Sequence, residues 1–268
     1  DKNKNTVLNV ASSGSPSASP VPSLQPSFNP TLNPTSARFS EVVSILTPSI
    51  QSFALSIADQ HEKEEEKERV KLLVEENMIG SWNDSRSPQY RALLWLSNED
   101  EYTQEIIYQN NNSSNFPIQI EGHTTTKLLL KRYALAVFYY ATNGEYWIDS
   151  CNFLSPDKHV CDWKSTILPR GRGVTLCVGL EDERAPFYLK LATNNLTGSL
   201  PNEIGLLSSS LQKLILDFNF LHGKIPASLS TMIQLREFKC KESHLTGSVP
   251  STIGLLSNIK VKIRQFYF

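Results

Sequence analysis

Three short turns of the form Gly-x-hydrophobic-Pro recur near the end of the chain: LTGSLP, LHGKIP and LTGSVP. They put Gly198, Gly223 and Gly247 in one column and Pro201, Pro226 and Pro250 in another, at spacings of 25 and then 24 residues. No other feature restricts the fold as much. A proline costs about 3 kcal/mol in a helix interior, so the segment is not a row of amphipathic helices. Self-similarity at a period of this length predicts supersecondary units that stack on one another as an α/β solenoid.

The remaining columns agree with that period. Leu189, Leu214 and Phe238 come first in each repeat, Leu191, Leu216 and Cys240 follow two residues later, and Leu196, Leu221 and Leu245 five after those. Alternating residues of a short strand point to one side, so each repeat buries a ladder of side chains against the next. Asn194 and Asn219 stand where the chain leaves the strand. An amide both donates and accepts, so it can bond the unpaired backbone groups of adjacent repeats. Ser243 takes that place in the third repeat and weakens the ladder. The glycine column supplies the permissive backbone of a tight turn, and the proline after it holds the chain extended. Ile204, Leu229 and Ile253, then Leu207, Met232 and Leu256, return to the core. The expected fold is a short right-handed stack over 186–268, three full repeats and one partial, with parallel strands on its concave face. Cys240 occupies an inward column, which predicts a buried free thiol acting as a small hydrophobe.

Three further regions precede the stack. Residues 1–38 are rich in Ser and Pro, as in SSGSPSASPVPSLQPSFNPTLNPTS from Ser12 to Ser36. Such a composition predicts a disordered stalk, serving as a spacer or as an uninvolved tail. Residues 39–125 predict a helical region with an Asn/Ser-rich linker. One helix is expected from Phe39 to Asn77, with Glu65–Arg69 and Glu64–Lys67 as oppositely charged neighbours on a solvated face. Within it, the uncharged run from Val42 to Ala58 is too polar for a membrane span. A second helix is expected from Pro88 to Ile107, before NNNSSN at 110–115. A third, amphipathic helix from Thr126 to Thr142 stops at Asn143-Gly144 and opens a cap over 126–185, its apolar face covering the end of the stack.

The added Gly-x-Ile-Pro turn resembles the plant-type leucine-rich repeat family. Upstream, YALAVFYYATNGEYW and CNFLSPDKHVCDW look like the N-terminal cap of such proteins. With the Ser/Pro stalk, the chain is most similar to the leucine-rich repeat proteins of diatoms. In the family's cap a Cys-x-Trp-x-Gly-Val-x-Cys segment closes a disulfide, and Cys161, Trp163, Gly173, Val174 and Cys177 supply its parts here. The resemblance thus implies a Cys161–Cys177 bridge. The long spacing from Trp163 to Gly173 departs from the family pattern and leaves Cys151–Cys161 open as an alternative.

The resemblance also implies function without catalysis: recognition of a protein or glycan on the concave strand face, by a receptor-like or adhesive ectodomain. The outward positions of that face include Tyr188, Lys190, Lys213, Ile215, Asp217, Phe218, Arg236, Lys239, Lys241 and Glu242. A secreted inhibitor of a hydrolase and an intracellular scaffold are the competing classes. The sequons at Asn83, Asn111, Asn112 and Asn195 and the clustered cysteines fit an extracellular or cell-surface site. With 26 Lys+Arg against 27 Asp+Glu, the chain lacks the basic footprint of a nucleic-acid binder. No cofactor is expected. His159-Val-Cys161-Asp162 has no second pair at a metal-ligand spacing, and Asp217 and Glu242 are better explained as a rim pair than as paired catalytic carboxylates. A start at Asp1 and an end inside a repeat suggest a fragment, with a membrane link expected only through a segment beyond it.

Overall fold

The leucine columns fall on adjacent strands. A computed structural model describes residues 37–59, 63–112, 124–167, 171–179, 185–250, 253–254, 256 and 259–265. The stalk sequence from Ser12 to Ser36 lies outside them. β1 (Gly173–Val178) pairs antiparallel with β2 (Ala185–Lys190), which pairs in parallel with β3 (Lys213–Ile215). β4 (His222–Gly223) runs parallel to the end of β5 (Glu237–Leu245), whose first part lies between β3 and β6 (Lys260–Gln265). The register aligns Leu189, Leu214, Phe238 and Val261. Leu189, Leu191, Leu214, Leu216, Phe238 and Cys240 are completely buried, so the two-residue alternation sends one side of each strand inward.

Buried backbone between the turns of chain is satisfied by asparagine. The Asn219 amide donates to the carbonyls of Leu191 and Leu216, both at 2.9 Å, and its Oδ1 accepts from the N–H groups of Asn194 and Leu196, both at 3.0 Å. Asn194 does the same one turn earlier, exchanging bonds with the backbone of Asp149. Ser243 is buried, and its hydroxyl meets Cys240 Sγ at 3.4 Å, within its own turn. Gly198, Gly223 and Gly247 share a φ of 77°, a left-handed conformation in which any other side chain is strained. Pro201 and Pro226 then lead in extended form into the 3₁₀ segments Asn202–Leu207 and Ala227–Thr231, which form the backs of the first two turns.

Five helices precede the strands, α1 (Ala37–Ala58), α2 (Glu64–Met78), α3 (Pro88–Asn98), α4 (Glu101–Asn112) and α5 (Thr124–Ala141), and of these α1, α2 and α5 pack on the backs. Helices and strands belong to one compact unit. α1 is long and apolar enough to cross a membrane by length and composition. Its stripe of Val42, Leu46, Ile50 and Ala54 is spent in the core, at a spacing of four that makes one ridge. A Cβ on Gly205 would collide with the Phe53 ring of α1, which shows how closely this helix lies on the first turn's back.

Two helical expectations change. The single helix from Phe39 to Asn77 is two, and the one from Pro88 to Ile107 breaks at Glu99-Asp100. The second break has a clear cause. Asp100 caps α4, its Oδ2 accepting from the Thr103 N–H at 3.2 Å and hydroxyl at 2.6 Å, and the same carboxylate pairs with Arg132 of α5. α5 packs on the first turn of the stack, but its second half has no polar face. Every residue from Lys131 to Tyr140 is buried, because α5 lies between α1 and α3 on one side and the Asn202–Leu207 segment on the other.

The Arg132–Asp100 pair sits at the centre of this arrangement, with both side chains fully buried. Arg132 also donates to the Lys158 carbonyl at 2.9 Å, and its guanidinium lies 4.7 Å from the Tyr102 ring centre, 5.1 Å from Trp163 and 5.3 Å from Trp95. Trp163 in turn packs on Phe153, and Phe153 on Trp147. Beside this cluster Cys161 is disulfide-bonded to Cys177 of β1, while Cys151 and Cys240 are buried free thiols. The bridge therefore ties the cap loop to the sheet.

A second buried charge lies between the helices and the stack. Glu203 is fully buried in the Asn202–Leu207 segment; its Oε1 accepts from Gln89 at 3.0 Å and its Oε2 has no hydrogen-bond partner. Burial pushes its carboxyl up to about 7 from 4.5. Nearby, Trp82 Nε1 donates to the Tyr133 hydroxyl at 2.7 Å.

Two outcomes follow from these groups. Arg132→Met strands Asp100 and is expected to cost about 3–5 kcal/mol in urea unfolding, and adding Asp100→Leu should recover most of it. A loss under about 1 kcal/mol would mean the pair is not a structural joint. For Glu203, a raised folded pKa means that its contribution is complete below the unfolded value and is lost as pH rises towards the folded one. Relative to Glu203→Gln, the protein should lose about 3 kcal/mol between pH 4.5 and 7. Parallel stability curves for the two proteins would contradict this.

Candidate functional site

The side of the sheet opposite the buried leucines carries the residues expected to meet a ligand. Register places Tyr188, Lys213, Glu237 and Lys260 in one row across four strands, with Lys190, Ile215 and Lys239 in the next outward row. Neighbouring strands in a sheet lie about 4.8 Å apart, so these side chains are immediate neighbours.

Their contacts are specific. Lys239 Nζ bonds Glu237 Oε1 at 2.6 Å, and Lys213 Nζ approaches Glu237 Oε2 at 3.6 Å. The Lys239 hydrogen bond holds the Glu237 carboxyl below its ordinary value. Lys213 also lies 4.6 Å from the centre of the Tyr188 ring and Lys190 lies 5.4 Å from it, while Phe187 stacks on the same ring at 4.9 Å. Ile215 is half-buried between the lysine positions.

Other expected contact residues separate by role. Asp217 is half-buried and bonds the next turn: its Oδ1 accepts from the Lys241 backbone N–H at 2.8 Å, and its carbonyl accepts from the Thr193 N–H at 2.9 Å. It ties one turn to the next, and no rim pair with Glu242 is needed to account for it. Lys241 and Glu242 are half-buried, and Arg236 is exposed just before β5.

Phe218 is 57% exposed with a φ of 58°. Thr193 (φ 53°) and Glu242 (φ 54°) repeat that conformation at spacings of 25 and 24 residues, one position before Asn194, Asn219 and Ser243. A β-branched or aromatic residue is an outlier there, at a cost of about 1–2 kcal/mol each. This column of strain runs along the rim of the sheet.

Sequence reasoning passed over two groups. Lys260 joins the Tyr188 row on the fourth strand, and carrying the column spacing one repeat further would have found it. Arg172 precedes β1 and donates to Asn194 Oδ1 and the Thr193 carbonyl, both at 3.1 Å, closing the asparagine ladder at its first turn. No periodic signal marks it, because it lies in the long spacing between Trp163 and Gly173.

Of the sequons, Asn83 is exposed, and the Asn195 amide donates to the Tyr146 carbonyl at 2.8 Å. The side chains of Asn111 and Asn112 lie outside the described residues. His159 uses Nδ1 to accept from the Cys161 N–H at 3.1 Å, and Cys161 is spent in the disulfide. Among the described residues, no group of three or more His, Cys, Asp or Glu side chains converges on a point where a metal ion could sit. The buried Cys240 thiol is pushed up to about 11, chiefly by its burial. No family model matches the sequence, and no curated protein gives a significant match.

The strain at the rim has a measurable consequence. Asn tolerates the left-handed region, so Phe218→Asn should raise the stability of the protein by about 1 kcal/mol in chemical denaturation. An unchanged or lowered midpoint would remove the inference of strain.

Proposed function

We propose that this chain is a non-enzymatic recognition module, a plant-type leucine-rich repeat solenoid that binds a protein or glycan partner on its concave strand face. The reading extends to a secreted or cell-surface ectodomain. The observation that carries it is the asymmetry of the stacked turns. Their backs are covered by α1, α2 and α5, whereas Tyr188, Lys190, Lys213, Ile215 and Lys239 stand in register on the other side of the strands, where no helix among the described residues packs extensively. Evolution keeps strained backbone where the surroundings over-determine it, and such positions cluster at ligand contacts. Phe218 supports the reading on that ground, since an exposed aromatic in a strained conformation does nothing for the core.

The Cys161–Cys177 disulfide supports the extracellular form of this reading over an intracellular scaffold, because such bridges persist in oxidising compartments. The four cysteines divide into one bridge and two buried thiols, which leaves none exposed to form mixed disulfides.

The test compares partner capture by the full chain and by Phe218→Ala/Lys239→Ala. Recognition through this face predicts a loss of about tenfold or more in affinity for the captured partner, the scale of a contact-centre residue. Equal affinity would move the site elsewhere on the molecule.

A further inference from the structure

The outward rows carry a charge imbalance that the whole chain does not. The formal net charge of the chain is −1, yet Lys190, Lys213, Lys239, Lys241 and Lys260 occupy outward positions of β2, β3, β5 and β6. Two carboxylates of β5 are set among them, Glu237 and Glu242, and Glu237 is already engaged by Lys213 and Lys239. The nearby Asp217 carboxylate is bound to backbone. Lysines stacked at the strand spacing repel one another, and the fold neutralises only part of that repulsion.

We infer that the uncovered strand face takes an acidic polypeptide segment, extended across the strands so that its Asp and Glu carboxylates meet the lysine rows. The inference rests on the recognition reading above and names the chemistry of its partner. Three observations select this occupant. The cations within the rows are mainly lysines, point charges without the planar fork that Arg offers to phosphate, with Arg236 just before β5 and Arg264 opposite Lys241, so they suit a flexible run of carboxylates. Ile215 lies between Lys190 and Lys239 in register, and Phe218 stands at the rim, giving apolar spots that an acidic segment with interspersed hydrophobic residues can cover. A sugar chain would instead need an open aromatic face among the charges. The Tyr188 ring is overlaid by Phe187 and by the ammonium groups of Lys190 and Lys213.

The experiment titrates the full chain with poly-L-glutamate and, separately, with polygalacturonate, at about 0.05 M and 0.3 M salt, which spans a large change in screening. Poly-L-glutamate should bind at the lower salt and weaken at the higher. Lys190→Glu/Lys241→Glu should reduce that binding by about tenfold or more, and the charge-neutral Lys190→Gln/Lys241→Gln by less, in the same direction. The neutral pair guards against a reversal that merely unfolds the protein. Lys63→Glu/Lys127→Glu, the same charge change at exposed positions before α2 and in α5, should leave binding unaltered. Absence of binding at low salt, equal loss in this control, or tighter binding of polygalacturonate would each overturn the inference, the last by assigning the face to an anionic polysaccharide. If poly-L-glutamate fails while Phe218→Ala/Lys239→Ala still weakens partner capture, recognition by this face stands and its acidic ligand falls.

Discussion

A fully buried arginine has to be paired or the fold around it fails. Arg132 stands in the fully buried second half of α5, and its partners come from three places: Asp100 before the first turn of α4, the carbonyl of Lys158 in the cap loop, and the rings of Trp95, Tyr102 and Trp163. Burial pushes the Asp100 carboxyl up, and Arg132 and Thr103 pull it back. The desolvation of such a pair offsets much of its attraction, so its net contribution to stability is small while the cost of breaking it is large. Its effect is therefore on arrangement. The break between α3 and α4, the path of the cap loop and the setting of Trp163 are all fixed by one guanidinium that accepts no other environment.

That joint decides how the stacked turns begin. Trp163 and Phe153 lie next to it, the Cys161–Cys177 bridge ties the same loop to β1, and β1 covers the edge of β2. From there order passes down the stack by hydrogen bonds through asparagine. Arg172 and the Asp149 backbone satisfy Asn194, and Asn219 satisfies the Asn194 turn. Each buried amide left unmatched would cost about 1–3 kcal/mol, so the ladder needs a first rung that comes from the cap. The third turn replaces the amide with Ser243, which bonds inside its own turn, and there the backbone pairing of β4 with β5 joins neighbouring turns directly.

The parts visible in the sequence are those whose chemistry repeats. The leucine, asparagine, glycine and proline columns each answer one local demand at one period, and the strands pair in that register. The helix break at Asp100 was hidden because its cause lies 32 residues away at Arg132. Periodicity alone carries Leu93, Leu94, Leu96, Ile106 and Ile107 through it. The second half of α5 departs from amphipathic expectation for a related reason: helices on one side and the stack on the other leave residues 131–140 no solvent face, even Lys131. The left-handed column was hidden by its composition. Thr193, Phe218 and Glu242 are residues that a backbone rule would place elsewhere, and only the neighbouring turns hold them there. The bond between Asp217 and the Lys241 N–H is also absent from the pattern, because a short acidic side chain at an outward position can turn and bind the next backbone N–H.

The division of the molecule into a covered and an uncovered side follows from the same physics. The 3₁₀ backs of the first two turns present small residues, Gly205 and Ser228, and a close-packed helix layer needs such small residues to approach. The strand face presents lysines whose repulsion opposes any apolar layer, so the helices have one side on which to pack. Glu203 marks the limit of that preference. It is a carboxyl trapped under the helix layer with one oxygen unsatisfied, so part of the attachment is conditional on its proton. The strand face carries no such debt to the core: its strained rim is held by the neighbouring turns, and its lysines are neutralised in part by Glu237.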